Sequence, residues 1–378
     1  MRILLSYELV GRGGDAVQVL EITEALRTLG HEVILLGPHP LRPYSFSGVA
    51  GYTRSLLRRL PWWAKDLIEL GLAWRMMRQA QKSLRGQSFD LIFHRAGIYD
   101  SVGVCLEEIL GCPLIVWLDA PFPLERAFRG EGYFKGLHQQ RLLELGQKTQ
   151  RIVTVSRASK EYYVQLGLPE EKIRIIPNGI SERWLQRGLE LAREHRPFPH
   201  AHECVIGFVG SLSRWHGVSL LLGAVRKLLD SQTLRWRVQI VGYGEEYAKL
   251  QTYARRLNLD QAIEWLGALP HEQAFEQIAQ FDIAVLPHTL PTGAPMKLFE
   301  YAALARPTIA PDLPNLRELF AEDEMHFVEP GNSKALAEAM LWLAQHPEEA
   351  VQLGQRAQAR VQGYSWEEII QRLLRSLT

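Results

Sequence analysis

The chain has 378 residues, two to three times the usual length of a single domain, so two domains are expected. Its 43 Lys and Arg against 42 Asp and Glu leave a net charge of +1, which argues against a strongly basic nucleic-acid binder or an acidic tail protein. With 47% hydrophobic and 22% charged residues, the composition is that of a globular chain with a large core and not of a disordered one.

The first element in chain order is the apolar run Ile3–Ser6, followed by Gly11-Arg-Gly-Gly14 and a helical spacing of Val19, Ile22, Leu26 and Leu29. A second strand is expected at Glu32–Leu36, which completes one β-α-β unit. Further strands are expected at Asp90–Phe93, Pro113–Trp117 and Arg151–Val155. Buried apolar strands alternating with amphipathic helices predict a parallel sheet covered on both faces. The Pro-containing segment 194–203 has no apolar period and is expected to be a linker. The pattern then restarts, with strands expected at Val205–Val209, Arg237–Val241, Ala262–Leu266, Ile283–Leu286 and Thr308–Ala310. Two doubly wound sheets are therefore expected, with ligands at the carboxyl ends of the strands and a cleft between the domains.

Residues 54–85 stand apart: eight Lys and Arg against Asp66 and Glu69, interleaved with Trp62, Trp63, Leu67, Ile68, Trp74, Met76 and Met77. Two readings are open. Either the tryptophans pack in the core and the cations face water, or the segment offers a cationic, aromatic surface to anionic lipid. Three cysteines, Cys105, Cys112 and Cys204, are an odd number without C-x-x-C spacing, which supports neither a disulfide framework nor a cysteine zinc site. No stretch reaches the roughly 18 apolar residues that span a bilayer, and Met1–Ser6 runs into Glu8 without a secretory pattern. A cytoplasmic protein is expected, with residues 54–85 as its candidate contact with the membrane's inner face.

The glycine loops carry the first functional signal. Gly11-Arg-Gly-Gly14 sits where a strand hands over to a helix, a place where backbone N–H groups and the helix dipole can hold an anion. It is not G-x-G-x-x-G, and no acidic residue ends the next strand to hold a ribose. Gly242-Tyr-Gly244 has Tyr247 where a third glycine would be. A nicotinamide enzyme is disfavoured on both counts. In the second half, Val209-Gly-Ser-Leu-Ser-Arg-Trp-His-Gly217, Ile240–Gly244, Leu266-Gly267, Phe281–Pro287, His288–Met296 and Lys297–Pro307 follow one another in order, after Thr154-Val-Ser156 and Ile175-Ile-Pro-Asn-Gly179.

That series resembles the retaining, nucleotide-sugar-dependent glycosyltransferases of family 4 (glycosyl transferases group 1). The resemblance runs from the opening glycine loop to Tyr364-Ser-Trp366 and is strongest from Thr154 to Pro307. It implies the GT-B fold, α/β with two facing Rossmann-like doubly wound parallel-sheet domains. The expected division is an acceptor-binding domain over 1–195 and a nucleotide-sugar-binding domain over 203–363. Helix 364–378 is expected to pack back on the first domain through Trp366, Ile369, Ile370, Leu373 and Leu374.

Carried over by position, Glu300 matches the second glutamate of the family's E-x7-E pattern, which accepts hydrogen bonds from the donor's ribose hydroxyls. A carboxylate suits a vicinal diol because its two oxygens can accept together. The same resemblance puts Lys297 within reach of the diphosphate, and Gly293, Ala294, Pro295 and Leu298 along the donor sugar and phosphates. Gly13, Gly14, Gly210 and Gly242 become donor-site glycines. Thr292 replaces the first glutamate of the pattern, Ser211 the usual arginine and His216 the usual lysine. Arg214 and Lys297 remain as fixed cations, with His216 able to join them if protonated. Asp119 lies where many relatives carry a histidine. It is a candidate for orienting an acceptor hydroxyl or the donor sugar, or for capping the next element, and Arg95 is expected nearby.

The resulting expectation is a hexosyltransferase that moves a sugar from a nucleotide diphosphate sugar to a hydroxyl of a glycan or lipid-linked acceptor, with Asp119, Arg214 and Lys297 as catalytic candidates. No cofactor is expected beyond the donor substrate. The sequence has no D-x-D pair for a divalent ion, so cations and helix N-termini are expected to stabilise the departing diphosphate. A nucleotide-sugar epimerase and a non-catalytic nucleotide-sugar-binding partner in a membrane complex are the alternatives.

Overall fold

Each half of the chain alternates apolar strands with amphipathic helices in a computed structural model that describes residues 1–8, 14–38, 60–195, 203–229 and 234–377. The described chain forms two compact units, one of Met1–Pro177 with Ile369–Thr378 and one of Asn178–Glu368.

In the first unit the order is β1 (Arg2–Tyr7), α1 (Gly14–Thr28), β2 (Glu32–Leu36), α2 (Trp62–Ser83), β3 (Leu91–Arg95), α3 (Val102–Leu110), β4 (Leu114–Trp117), α4 (Phe122–Phe128), α5 (Lys135–Lys148), β5 (Arg151–Thr154), α6 (Arg157–Gln165) and β6 (Ile173–Ile175). The six strands pair in parallel in the order β2-β1-β3-β4-β5-β6. The chain thus starts one strand in from an edge, fills that edge with β2 and crosses back, so β1 and β3 lie side by side with their carboxyl ends together. Leu4, Ile92, Val116 and Ile152 from four strands meet Met76, Leu106, Leu142 and Leu145 from the helices in one core.

The second unit contains α7 (Glu182–Glu194), β7 (Glu203–Val209), α8 (Val218–Leu229), β8 (Arg235–Val241), α9 (Tyr247–Arg256), β9 (Ile263–Gly267), α10 (His271–Ile278), β10 (Ile283–Val285), α11 (Met296–Ala303), β11 (Thr308–Pro311), α12 (Pro314–Arg317), β12 (His326–Val328), α13 (Ser333–Gln345) and α14 (Pro347–Val361). A last helix, α15 (Trp366–Arg375), runs across the division between the units. The second sheet is also parallel, in the order β12-β11-β10-β7-β8-β9. Leu221, Leu222 and Val225 of α8 are fully buried against Ile206, Val238 and Ile283. Each such side chain contributes roughly 1.5–3 kcal/mol through burial. The two doubly wound sheets expected from the alternation are present.

The expected linker, 194–203, does not coincide with the division at Pro177. Helix α7 belongs to the second unit because its side chains are anchored there: Trp184 packs 4.8 Å, between ring centroids, from both His271 and Phe275. The buried Arg306 donates to the His195 carbonyl at 2.6 Å as well as to those of Leu304, Ala279 and Phe281. Residues 196–202 lie outside the described residues.

Helix α2 resolves the two readings of its tryptophans by splitting them. Its inner face buries Asp66, Ala73, Met76 and Ala80, and Trp62 packs edge-on against Phe134 at 5.4 Å. Asp66 is neutralised in the interior by the Arg126 guanidinium and accepts from the Tyr99 hydroxyl, and Arg126 also reaches Glu69 at 3.0 Å. The outer face leaves Trp63 at 49%, Leu67 at 54% and Trp74 at 53% exposed, with Arg78 stacked 4.1 Å over Trp74. Residues 54–59 of the basic segment lie outside the described residues.

Candidate functional site

The carboxyl ends of β7 and β8, the turn that ends β9 and the start of α11 build a site within the second unit. Three strand ends are laced through backbone: Gly210 N–H donates to the Val241 carbonyl at 3.0 Å, Gly242 N–H to Gly267 at 2.6 Å and Leu212 N–H to Tyr243 at 3.2 Å. This close approach explains why glycines occupy these positions. Gly242 has φ +138°, and a Cβ there would stand 1.8 Å from the Gly210 carbonyl oxygen. Gly210 has φ +147°, and its missing Cβ would stand 2.3 Å from the Lys297 amine. The Val209 N–H donates to the Tyr301 hydroxyl at 2.9 Å, which ties the end of β7 to α11.

Lys297, in the first turn of α11, is 9% exposed, and its Nζ makes no hydrogen bond among the described residues. It lies 4.4 Å from the centroid of the Phe208 ring. Burial pushes its amine down to about 7, with the Glu300 carboxylate opposing the shift. A cation that is buried, unsatisfied and held beside a glycine backbone is costly to the fold unless an anion compensates it.

Glu300 follows one helical turn later, and its Oε1 lies 2.7 Å from His271 Nε2 at the start of α10. Both side chains are largely covered, at 13% and 19% exposure. The contact fixes the carboxylate's rotamer through Oε1 alone and leaves the second oxygen to accept from a ligand hydroxyl. His271 is not legible in the sequence, because nothing in its spacing links it to Glu300 29 residues away.

The remaining expected donor-site residues divide. Ala294 is buried and its carbonyl accepts from Asn178 at 2.8 Å, while the Gly293 carbonyl accepts from Asn315 at 2.6 Å. Two asparagine amides thus set the path of the chain into Pro295, the N-cap residue of α11. Arg214 is exposed on the short turn after β7.

His216 is a further expected donor-site residue. Its Nδ1 lies 2.6 Å from the Ser211 carbonyl oxygen. A carbonyl only accepts, so Nδ1 carries a proton. Burial, Lys297 and His288 hold the ring well below the usual histidine range, which opposes a positive charge there. Leu298, also expected at the donor site, has a side chain that is 0% exposed and an N–H that donates to the Pro295 carbonyl at 3.1 Å. Gly13 lies outside the described residues, and Gly14 opens α1.

Asp119 stands in the first unit, just beyond β4. Its Oδ2 accepts from Arg95 Nη2 at 3.0 Å. The sequence suggests that Arg95 follows a strand, but it is the last residue of β3 and is 2% exposed. It also donates to Gln18 at 2.7 Å and to Asp15 at 3.3 Å. Burial raises the Asp119 carboxyl above its usual range while Arg95 lowers it. Nearby Glu125 is pushed up to about 8 by burial and by the charges of Asp15 and Asp119. Arg129 and Arg95 offset this only in part, which favours a protonated Glu125 at neutral pH, a feature that the sequence does not reveal.

Two family models match the chain: "Glycosyl transferases group 1" over residues 203–346 and "Glycosyltransferase Family 4" over residues 12–184. The amylovoran biosynthesis glycosyltransferase AmsK of Erwinia amylovora is 25% identical over 231 residues, 60% of this chain and 55% of that protein. A D-inositol 3-phosphate glycosyltransferase of Corynebacterium urealyticum is 25% identical over 306 residues, 76% of this chain and 71% of that protein. The match to the first thus spans little more than half of the relative's length. Among solved structures, Anabaena HepE in complex with UDP and glucose superposes with a TM-score of 0.71 at 18% identity, covering 100% of this chain and 99% of that one, a likeness of fold.

Proposed function

The chain belongs to the group 1, family 4 glycosyltransferases, and from that premise we propose that it transfers a sugar, with retention of anomeric configuration, from a nucleotide diphosphate sugar to a hydroxyl of a glycan or lipid-linked acceptor. One observation carries the reading: the buried Lys297 amine, without a hydrogen bond among the described residues, beside Gly210 and one helical turn from Glu300. A diphosphate supplies the missing counter-charge and a ribose diol suits the fixed carboxylate.

On this reading Lys297, Arg214 and the amino-terminal dipole of α11 take up the charge that develops on the leaving diphosphate, with no divalent ion at that position. Glu300 grips the ribose, and backbone groups at the ends of β8 and β9 meet the base. The departing phosphate accepts the acceptor's proton as the acceptor attacks from the same face. Asp119, oriented by Arg95, positions a sugar hydroxyl from the first unit. The amylovoran biosynthesis named for one relative supports a glycan acceptor.

The exposed face of α2 supports a membrane contact. Its acidic residues Asp66 and Glu69 are engaged by Arg126, so the exposed Arg78 and Lys82 form no ion pair among the described residues, and the exposed Arg75 donates to the Pro38 carbonyl at 3.0 Å, on the same helix as Trp63 and Trp74. Anionic lipid headgroups fit this mixture of cations and half-immersed rings.

The reading is tested by a thermal-shift screen of uridine, guanosine, adenosine and thymidine diphosphates, followed by transfer assays with the matching sugar nucleotides. A selective nucleotide shift and a glycoside product that Glu300→Ala abolishes are expected. Binding without turnover across acceptors points to a non-catalytic partner, and free epimer without glycoside to an epimerase. Either result overturns the proposal.

A further inference from the structure

The first unit holds another set of chemistry-bearing side chains, which sugar transfer does not use. Glu8 follows β1, His94 lies in β3 and Asp100 stands just ahead of α3, and their ligand atoms all fall within 4.8 Å of one another. His94 is 0% and Asp100 3% exposed. His94 Nε2 stands 2.7 Å from Asp100 Oδ2, yet the contact lacks hydrogen-bond alignment. Nε2, Oδ2 and Glu8 Oε1 are all buried polar atoms that find no hydrogen-bond partner outside the cluster among the described residues.

Each of the three side chains is anchored from outside the cluster. His94 Nδ1 lies 2.7 Å from the Ser6 hydroxyl, and Gly103 N–H donates to Asp100 Oδ1 at 3.1 Å. The Val102 backbone bonds the Glu8 carboxyl. Outer partners of this kind orient a metal's ligands by fixing one atom and presenting the other inward. Two glycines keep the walls open. A Cβ on Gly97 would stand 2.4 Å from Glu8 Oε2, and one on Gly103 would stand 2.9 Å from His94 Cδ2.

We propose that Glu8, His94 and Asp100 form a three-ligand site for a divalent transition-metal ion, which ties the carboxyl ends of β1 and β3 to the start of α3. Two carboxylates and a neutral imidazole balance the charge of one such ion. The mixed nitrogen and oxygen set suits Zn(II) better than Mg(II) or Ca(II), which favour all-oxygen shells, and water completes the coordination. The ion braces the scaffold and takes no part in transfer.

The test uses the full chain, stripped with a chelator and dialysed against Zn(II) alone. Metal content is read by mass spectrometry after gel filtration, and stability by thermal unfolding. One zinc per chain and a raised Tm are expected, with affinity at least tenfold weaker in Glu8→Gln and Asp100→Asn. Glu8 is the least buried of the three, so Glu8→Gln decides the matter if Asp100→Asn does not fold. Wild-type protein that retains no zinc would overturn the proposal, as would variants that bind and stabilise like wild type, since the metal would then sit on other histidines. No sugar transfer is read, so this outcome is independent of the proposed activity.

Discussion

Raising the pH from 7 to 9 should weaken binding of an intact nucleotide sugar about 50-fold in the wild-type protein and leave Lys297→Met almost unchanged. The magnitude follows from the burial of Lys297, which brings its amine down to about 7. If the diphosphate binds only the ammonium form, the competent fraction falls from about one half at pH 7 to about one hundredth at pH 9, and apparent affinity falls in proportion. Isothermal titration in buffers of different ionisation enthalpy counts the proton taken up on binding, about half a proton at pH 7 and close to one at pH 8. An intact sugar nucleotide is the appropriate titrant, because a free terminal phosphate has its own titration near pH 6. A flat wild-type profile, or a Lys297→Met profile that falls in parallel, would refute the reasoning.

The same buried amine burdens the ligand-free fold. Its folded pKa lies below the unfolded value, so the unfolded chain binds more protons between about pH 7 and 10 and the penalty is fully present below pH 7. Lys297→Met should therefore stabilise the ligand-free protein at neutral pH by on the order of a few kcal/mol, read as a higher Tm, while abolishing the donor-induced shift. Gly242→Ala drives a Cβ into the Gly210 carbonyl and should cost about 3 kcal/mol or more in chemical denaturation; a loss under about 1 kcal/mol would show that the strand ends can part. His271→Ala should raise the donor KM about tenfold with kcat nearly kept, and His271→Gln should recover part of the loss; an unchanged KM would remove His271 as the positioner of Glu300. Liposome flotation should show binding to anionic but not neutral vesicles, weakened by salt and at least tenfold by Trp63→Ser with Trp74→Ser; binding that ignores lipid charge would contradict the role given to α2.

The fold is legible wherever a strand is buried on both faces, since a continuous apolar run such as Cys204–Val209 requires cover above and below the sheet. Strands β6 and β12 carry no such run: Ile173-Arg-Ile and His326-Phe-Val are three-residue edge strands with partly exposed side chains, and their pattern does not separate them from loop. The division between the units departs from the proline-rich segment for a related reason. Proline content marks a break in the helix and strand pattern of the sequence, while Trp184 and Arg306 report attachment, which exists only in three dimensions. At the site, Lys297 and Glu300 stand out in the sequence because they share one short helix with family spacing. Their neighbours His271, Asn178 and Asn315 come from separate elements, where only the fold reveals the meeting. The charge of His216 is hidden because a sequence gives a histidine's identity but not the carbonyl that selects its tautomer. The Glu8, His94 and Asp100 cluster is invisible for the same reason as His271, its members being spread over three segments of the chain.

A crystal structure with an intact donor tests the central claim most directly. The β-phosphate is expected within about 3 Å of Lys297 Nζ beside the Gly210 backbone, with both ribose hydroxyls on Glu300. A nucleotide bound elsewhere, or a Glu300 carboxylate still turned wholly to His271 and away from the ribose, would contradict it.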